Sequence, residues 1–431
     1  MKRLAIIFGY GDDVKDNLFL FALQLVVFTF PAFYGYVNSW TVIFLLLVWA
    51  FTNDFSKFGH YFKTRSLGWV FIGYFVWMLF GLLYSENHEA AKLDIIQKLT
   101  FIIFPAILLY NDRIKSRHLR GIIRMFYWTL FVLSIYMLAK AWFNFYTHTP
   151  FVLESDLDYF TYEKLAVNVG IQPIYLSMYM VFALFCVLWD FFLQPKIGLT
   201  KSGKFMAMVW IFHFYMMVVL LSSRMELMIL IFLGALLILW LEYKKETRKW
   251  FLAVFKVLAL GSVTIVLLGV FPVNKARYEE MIDFKKDYTQ NKWGGRDIRI
   301  QKWLNSLELI SEQPLLGTGT GDMQDELLKV YKRNDFEIAY NNNYNPHNQY
   351  LQTWATFGLI GLFFLFGILA VSFKYSISSG NLLYVILVLM LALSMITESM
   401  LERHKGVVFF SFFLLLFGAY YLNDRVKPVD S

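Results

Sequence analysis

The sequence predicts an all-α polytopic membrane protein, with about twelve transmembrane helices and one large external helical loop. Three observations carry this reading. Hydrophobic residues make up 58% of the 431 residues, above the roughly 45–50% of a soluble globular domain. Mean hydropathy is +0.51 and only 17% of residues are charged. The apolar residues also fall in repeated runs close to the ~20 residues a bilayer crossing requires.

The runs cover roughly 18–36, 39–51, 67–84, 93–110, 122–145, 173–194, 205–222, 224–242, 250–272, 348–373, 381–398 and 405–422. The second is short, and the seventh and eighth nearly touch, so eleven is the competing count. Basic residues decide between them. With the N-terminus inside, both termini and the connectors 52–66, 111–121, 195–204, 243–249 and 374–380 carry 20 Lys and Arg. The short connectors on the opposite side carry 5. Lys and Arg concentrate in cytoplasmic loops, so twelve spans with both termini inside is the consistent topology. The net charge of +8 therefore orients the chain in a membrane and implies no nucleic-acid partner. The apolar stretch in "MKRLAIIFGYGDD" is too short for a cleaved signal, which makes the first span an expected uncleaved anchor. Cys186 is the single cysteine and excludes an intramolecular disulfide.

This gives three parts. Residues 1–272 hold spans one to nine, 273–347 form the loop, and 348–431 hold spans ten to twelve with a short cytoplasmic tail. A connector of that length is commonly functional. Within it Ile300, Trp303, Leu304, Leu307 and Ile310 recur at helical spacing, and "PLLGTGTGD" ends that helix. "MQDELLKVY" reads as a second, shorter helix. "GTGTGD" follows no strand, so turn chemistry fits it better than a phosphate-binding loop.

Chemistry concentrates at "NPHNQYLQTWATFGLIGL", residues 345–362. His347 and Asn348 sit at the external mouth of span ten. The field of a helix N-terminus disfavours an imidazolium, which suits His347 to general-base work. Asn348 is placed to orient it or to meet a substrate. Gly358 lies about three turns further on, with Gly361 near the same face, and the pair predicts a groove or a close helix contact below the histidine. "LLSSRMELMIL" puts Arg224 and Glu226 at the outer side between two apolar runs, where an arginine is costly. Arg296 and Arg299 in the loop add guanidinium groups suited to phosphate oxygens. Gln172, Tyr175 and Glu398, at outer ends of spans, are candidate lining residues. Asp156 and Asp158 are spaced like a metal pair but read better as ordinary connector acids.

"HNQYLQTWATFGLIG" fits the pattern His, Asn/Ser/Gln, nine residues, Gly, two residues, then a small residue or Tyr. With "RIQKWLNSLELISEQPLLGTGTGD" upstream, where three residues separate Arg299 from Trp303, the chain resembles the superfamily of bacterial O-antigen ligases and polymerases, the ligases most closely. The sharp motifs span about 296–361. The resemblance implies a membrane glycosyltransferase of GT-C-like architecture in the bacterial inner (plasma) membrane, with its active site facing the periplasm. It implies an inverting, metal-independent, cofactor-free transfer of a glycan from undecaprenyl diphosphate to a sugar hydroxyl, in ligases that of lipid A–core. Carried over, His347 is the base or acceptor-orienting residue, and Arg224 and Arg299 are diphosphate ligands, with Arg296 the alternative to Arg299. An O-antigen polymerase and a protein O-oligosaccharyltransferase share the donor. A lipid-linked sugar transporter is the reading from another class, disfavoured because the charged cluster lies at the rim and not at mid-membrane.

Overall fold

The computed structural model describes residues 7–32, 35–147, 157–193, 201–245, 249–270 and 295–425. These are predominantly helical, with no strand among the described residues. Nine of their helices are long and apolar enough to cross a membrane, and two shorter apolar helices accompany them. Each predicted span coincides with helix. In chain order the helices are α1 (Val14–Ala32), α2 (Gly35–Thr52), α3 (Phe58–Thr64), α4 (Ser66–Gly81), α5 (His88–Lys98), α6 (Thr100–Phe104), α7 (Ser116–Thr147), α8 (Tyr162–Ala166), α9 (Pro173–Leu188), α10 (Lys201–Leu220), α11 (Arg224–Tyr243) and α12 (Trp250–Val270). They continue with α13 (Gly295–Glu312), α14 (Met323–Arg333), α15 (Glu337–Asn341), α16 (Gln349–Ser379), α17 (Leu382–Ser394) and α18 (His404–Arg425). The predicted fourth span is broken into α5, α6 and a π-helical turn, Pro105–Leu109. Pro105 has no amide hydrogen to continue an α-helical ladder, and the wider turn closes through Tyr110 N–H donating to Pro105 O at 3.2 Å.

The chain forms two compact units. One comprises Met1–Val26, Gly35–Ile122 and Tyr288–Ser431, the other Val27–Tyr34 and Ile123–Asp287. In the first, α18 is mostly enclosed. Its Phe410 meets Phe71 and Phe101, and Phe417 stacks on Tyr384 at 5.2 Å. α4 runs along α16: Ser66 Oγ and Tyr375 OH are 2.9 Å apart, and Trp77 Nε1 donates to Phe357 O at 2.8 Å. Gly68 and Gly73 of α4 lie directly against Tyr110 and Phe364, the close approach that small residues allow between membrane helices. In the second unit α9 is buried over nearly its whole length. After it Asp190 accepts from Arg124 at 2.7 and 3.1 Å and from Tyr127 at 3.0 Å, so this buried charge is paired, as burial demands.

The predicted loop is described from residue 295 onward; 273–294 lie outside the described residues. α13, α14 and α15 share a small core of Leu309, Ile310, Met323, Leu327, Val330, Tyr331, Phe336 and Ala339, closed by Ala355 of α16. Both predicted loop helices are present, and the apolar stripe of α13 is divided: Ile310 is buried in this core, but most of the stripe is not. Ile300, Leu304 and Leu307 are exposed, while Lys302, Asn305 and Ser306 are buried. An apolar stripe turned away from the protein fits an interfacial helix whose apolar side meets lipid.

Candidate functional site

The start of α16 is built by its preceding loop. Asn345 Oδ1 accepts from the His347 amide at 3.0 Å, a local turn that Asn favours. It holds His347 in the left-handed region at φ 47°. Asn348 then caps the helix, its Oδ1 accepting from the Tyr350 and Leu351 amides at 2.9 and 3.1 Å. The connector between α17 and α18 is stitched to the same turn. Asn348 N–H donates to Ser399 Oγ at 3.2 Å, Gln349 N–H to Met395 O at 2.9 Å, and Leu401 N–H to Gln349 Oε1 at 2.7 Å.

That stitching places Glu398 against the histidine, with His347 Nδ1 3.3 Å from Glu398 Oε2. A carboxylate only accepts, so Nδ1 is the donor in this contact, which in the neutral imidazole leaves the lone pair on Nε2. The His347 side chain remains about one third exposed. The Tyr344 ring also meets the imidazole edge-on, with centroids 6.1 Å apart. Lys302 of α13 lies over the same tyrosine, Nζ 4.9 Å from the ring centroid. Lys302 is only 5% exposed. Burial, and secondarily the neighbouring Arg299, push its ammonium down to about 7, and Glu398 offsets this only in part. Arg299, Lys302, Tyr344, His347 and Glu398 thus form one cluster.

Behind it lies a buried ionic group. Lys98 is fully enclosed, paired with Asp94 of its own helix and 3.5 Å from Glu402. Gln349 Nε2 donates to the same Glu402 carboxylate at 3.4 Å. One buried cation thereby ties α5 and the α17–α18 connector to the helix that starts beside His347.

Gly358 does something the spacing did not predict. It does not leave a groove on a straight helix; it breaks α16 at φ 66°, ψ −169°. The loop after α13 fills the break. Thr318 and Gly319 amides donate to Ala355 O and Thr356 O at 2.9 and 3.0 Å, and the Leu359 amide donates to Pro314 O at 2.9 Å. The groups orphaned by the kink are therefore satisfied. A side chain at Gly358 would run into the Leu315 carbonyl, and one at Gly361 into Phe357. The two glycine motifs are halves of one joint. Asp322 locks the far end of that loop, accepting from Ser85 Oγ and the Glu86 and Asn87 amides at 2.7–3.0 Å.

The predicted site residues fall into both units. His347, Asn348, Glu398 and Arg299 belong to the first. Arg296 is in the first turn of α13, and its side chain lies outside the described residues. Arg224, Gln172 and Tyr175 belong to the second unit. Arg224 is the first residue of α11, partly exposed, with Glu226 buried beneath it. Gln172 is exposed at the cap of α9, and Tyr175 is 3% exposed. Asp156 lies outside the described residues, and Asp158 pairs with Lys164 at 3.7 Å. Sequence reasoning missed Lys302, Tyr344, Gln349 and the Asp94–Lys98 pair. Two signals were available. Lys302 follows Arg299 by three positions on one helix face. Asp94 and Lys98 are an i,i+4 ion pair inside a stretch apolar enough to be taken for a span.

These features define a polytopic helical membrane protein with a polar cluster at the start of one long helix. The family model described as O-antigen ligase matches residues 206–366, the stretch from α10 to beyond the kink of α16. This match supports the O-antigen ligase/polymerase superfamily, whose members are membrane glycosyltransferase-like enzymes. An uncharacterized protein of Haemophilus influenzae is 24% identical over 151 residues, which is 34% of this chain and 37% of that protein. The chain therefore spans a little over a third of the length of this relative.

Proposed function

We propose that the protein is an O-antigen ligase-type glycosyltransferase of the bacterial inner membrane. It moves a glycan from undecaprenyl diphosphate to a hydroxyl of lipid A–core on the periplasmic face. The observation that carries this reading is the His347–Glu398 pair, 3.3 Å apart, beside two cationic side chains of α13. The acceptor hydroxyl oxygen attacks the anomeric carbon of the donor sugar as His347 Nε2 takes its proton. The bond from that carbon to the diphosphate oxygen breaks, and its electron pair leaves with undecaprenyl diphosphate. Attack from the opposite face inverts the anomeric centre. Glu398 holds the imidazole in the tautomer this step needs and stabilises the charge that develops on it. Arg299 binds and neutralises the leaving diphosphate. The family resemblance gives Arg224 the role of a diphosphate ligand, and Asn348 meets substrate through its amide nitrogen, because its oxygen caps α16. No residue in this scheme asks for a metal.

The test is reconstitution of the purified chain with an undecaprenyl-diphosphate glycan and lipid A–core, in chelator and without nucleotide. Formation of a glycosidic bond supports the reading; lipid movement without transfer replaces it with a transporter. In cells, loss of the gene should leave bare core and accumulated lipid-linked polymer. Core carrying a single repeat would instead identify a polymerase.

A further inference from the structure

Lys302 is placed where folding alone does not favour a lysine. Its side chain is enclosed, and its ammonium lies over the Tyr344 ring. Arg299, a like charge, lies one turn earlier on the same face of α13, an arrangement that costs stability. A buried ammonium is ordinarily matched by a carboxylate at contact distance. Among the described residues Lys302 has no ion pair of that kind; the acid acting on it, Glu398, is engaged with His347. The groups facing Lys302 are thus Arg299 from α13, Tyr344 from the loop before α16 and Glu398 from the α17–α18 connector. Costs of this sort, gathered beside a candidate catalytic pair, mark a binding position more often than a structural one.

We propose that Lys302 is a cationic ligand for the diphosphate of the lipid-linked donor, acting with Arg299 on one face of α13. This rests on the donor assigned above. The two side chains divide the work by their chemistry: a planar guanidinium grips two oxygens, and an ammonium supplies a compact point charge. The aromatic face of Tyr344 holds the ammonium and keeps it partly desolvated until the anion arrives. Tyr344 also touches the His347 imidazole, so the anion-binding cation and the base share one support. A lysine whose ammonium loses its proton near neutrality must regain it on binding an anion. Donor binding is then linked to proton uptake and weakens as pH rises above about 7.

The experiment uses the full chain in lipid nanodiscs and measures binding of undecaprenyl diphosphate, undecaprenyl monophosphate and inorganic pyrophosphate at pH 6.5 and 8.5. Wild type should bind the lipid diphosphate more tightly than the monophosphate, and more weakly at pH 8.5. K302M should lose about tenfold in affinity at pH 6.5, the scale of one hydrogen bond to a charged group, and should lose the lysine-dependent part of the pH effect. K302R, whose cation does not titrate in this range, should keep the affinity and also lose that part. It serves as the second variant should K302M fail to fold. Pyrophosphate alone should show the same order of variants, which separates headgroup recognition from binding of the lipid chain. Wild-type affinity and pH dependence in folded K302M overturn the inference. If wild type transfers glycan while K302M binds and transfers normally, the inference fails and the glycosyltransferase reading stands. If wild type binds the lipid diphosphate through Lys302 yet transfers nothing, the inference stands and that reading fails. Wild type that binds no diphosphate ends both.

Discussion

The backbone of Gly317 lies directly against that of Gly358, where α16 breaks: a side chain on Gly317 would strike the Gly358 amide and the Thr356 carbonyl. Both glycines have positive φ, 73° and 66°. The loop and the kink therefore specify each other, and the polar start of α16 is held by a joint and not by a continuous helix.

Gly358→Ala should destabilise the protein. Positive φ alone costs a non-glycine residue roughly 1 kcal/mol or more, and the carbonyl of Leu315 blocks the added methyl. Thermal unfolding of the detergent-solubilised variant should begin several degrees lower. An unshifted transition would show that the joint relaxes without cost.

His347→Ala should insert and fold normally, because the side chain is partly exposed and among the described residues its polar contact is to Glu398, yet it should lose transfer. Glu398→Gln keeps the shape and a hydrogen-bond acceptor but removes the charge. It should lower kcat at least tenfold, within the usual range for acid–base assistance, with little change in donor KM. A Glu398→Gln enzyme with wild-type kcat would reduce Glu398 to a packing role.

Stability should depend on pH through Lys302. Its folded value is lowered, from 10.5 to about 7. Between those values the unfolded chain binds the proton and the folded chain does not, so stability rises with pH across that window and is flat below it. Lys302→Met removes the burial cost. It should raise the melting temperature most at pH 7 or below, and the gain should shrink towards pH 10. A melting difference that does not change with pH would refute this.

Lys98→Met should be the most damaging of the substitutions considered. It leaves the Asp94 and Glu402 carboxylates facing each other without their shared cation. Removing one partner from a buried ionic group costs about 3–5 kcal/mol. Expression and melting temperature measure the loss. Replacing Asp94, Lys98 and Glu402 together by apolar residues should restore much of it, whereas no recovery would point to a role beyond pairing.

Arg224→Lys should impair transfer while leaving the fold intact, because an ammonium cannot reproduce a two-pronged guanidinium contact. Unchanged transfer rates would leave Arg224 structural.

The sequence by itself determined most of the membrane helices, because burial in lipid demands long apolar runs and little else; even the short second span and the near-touching seventh and eighth are recovered, whereas the fourth is broken at Pro105. It also marked His347, Arg299 and Glu398, since charged groups stand out in so apolar a chain. Only the tertiary structure decided what those groups touch. The His347–Glu398 pair joins residues 51 positions apart, and no spacing rule reaches across two helices. The inward turn of Lys302 was hidden for a related reason. Periodicity on α13 reports where apolar residues lie, and in a membrane protein the apolar face need not be the buried one. Gly358 shows the same limit: a glycine at helical spacing reads as packing, and only the loop arriving from Pro314 turns it into a break.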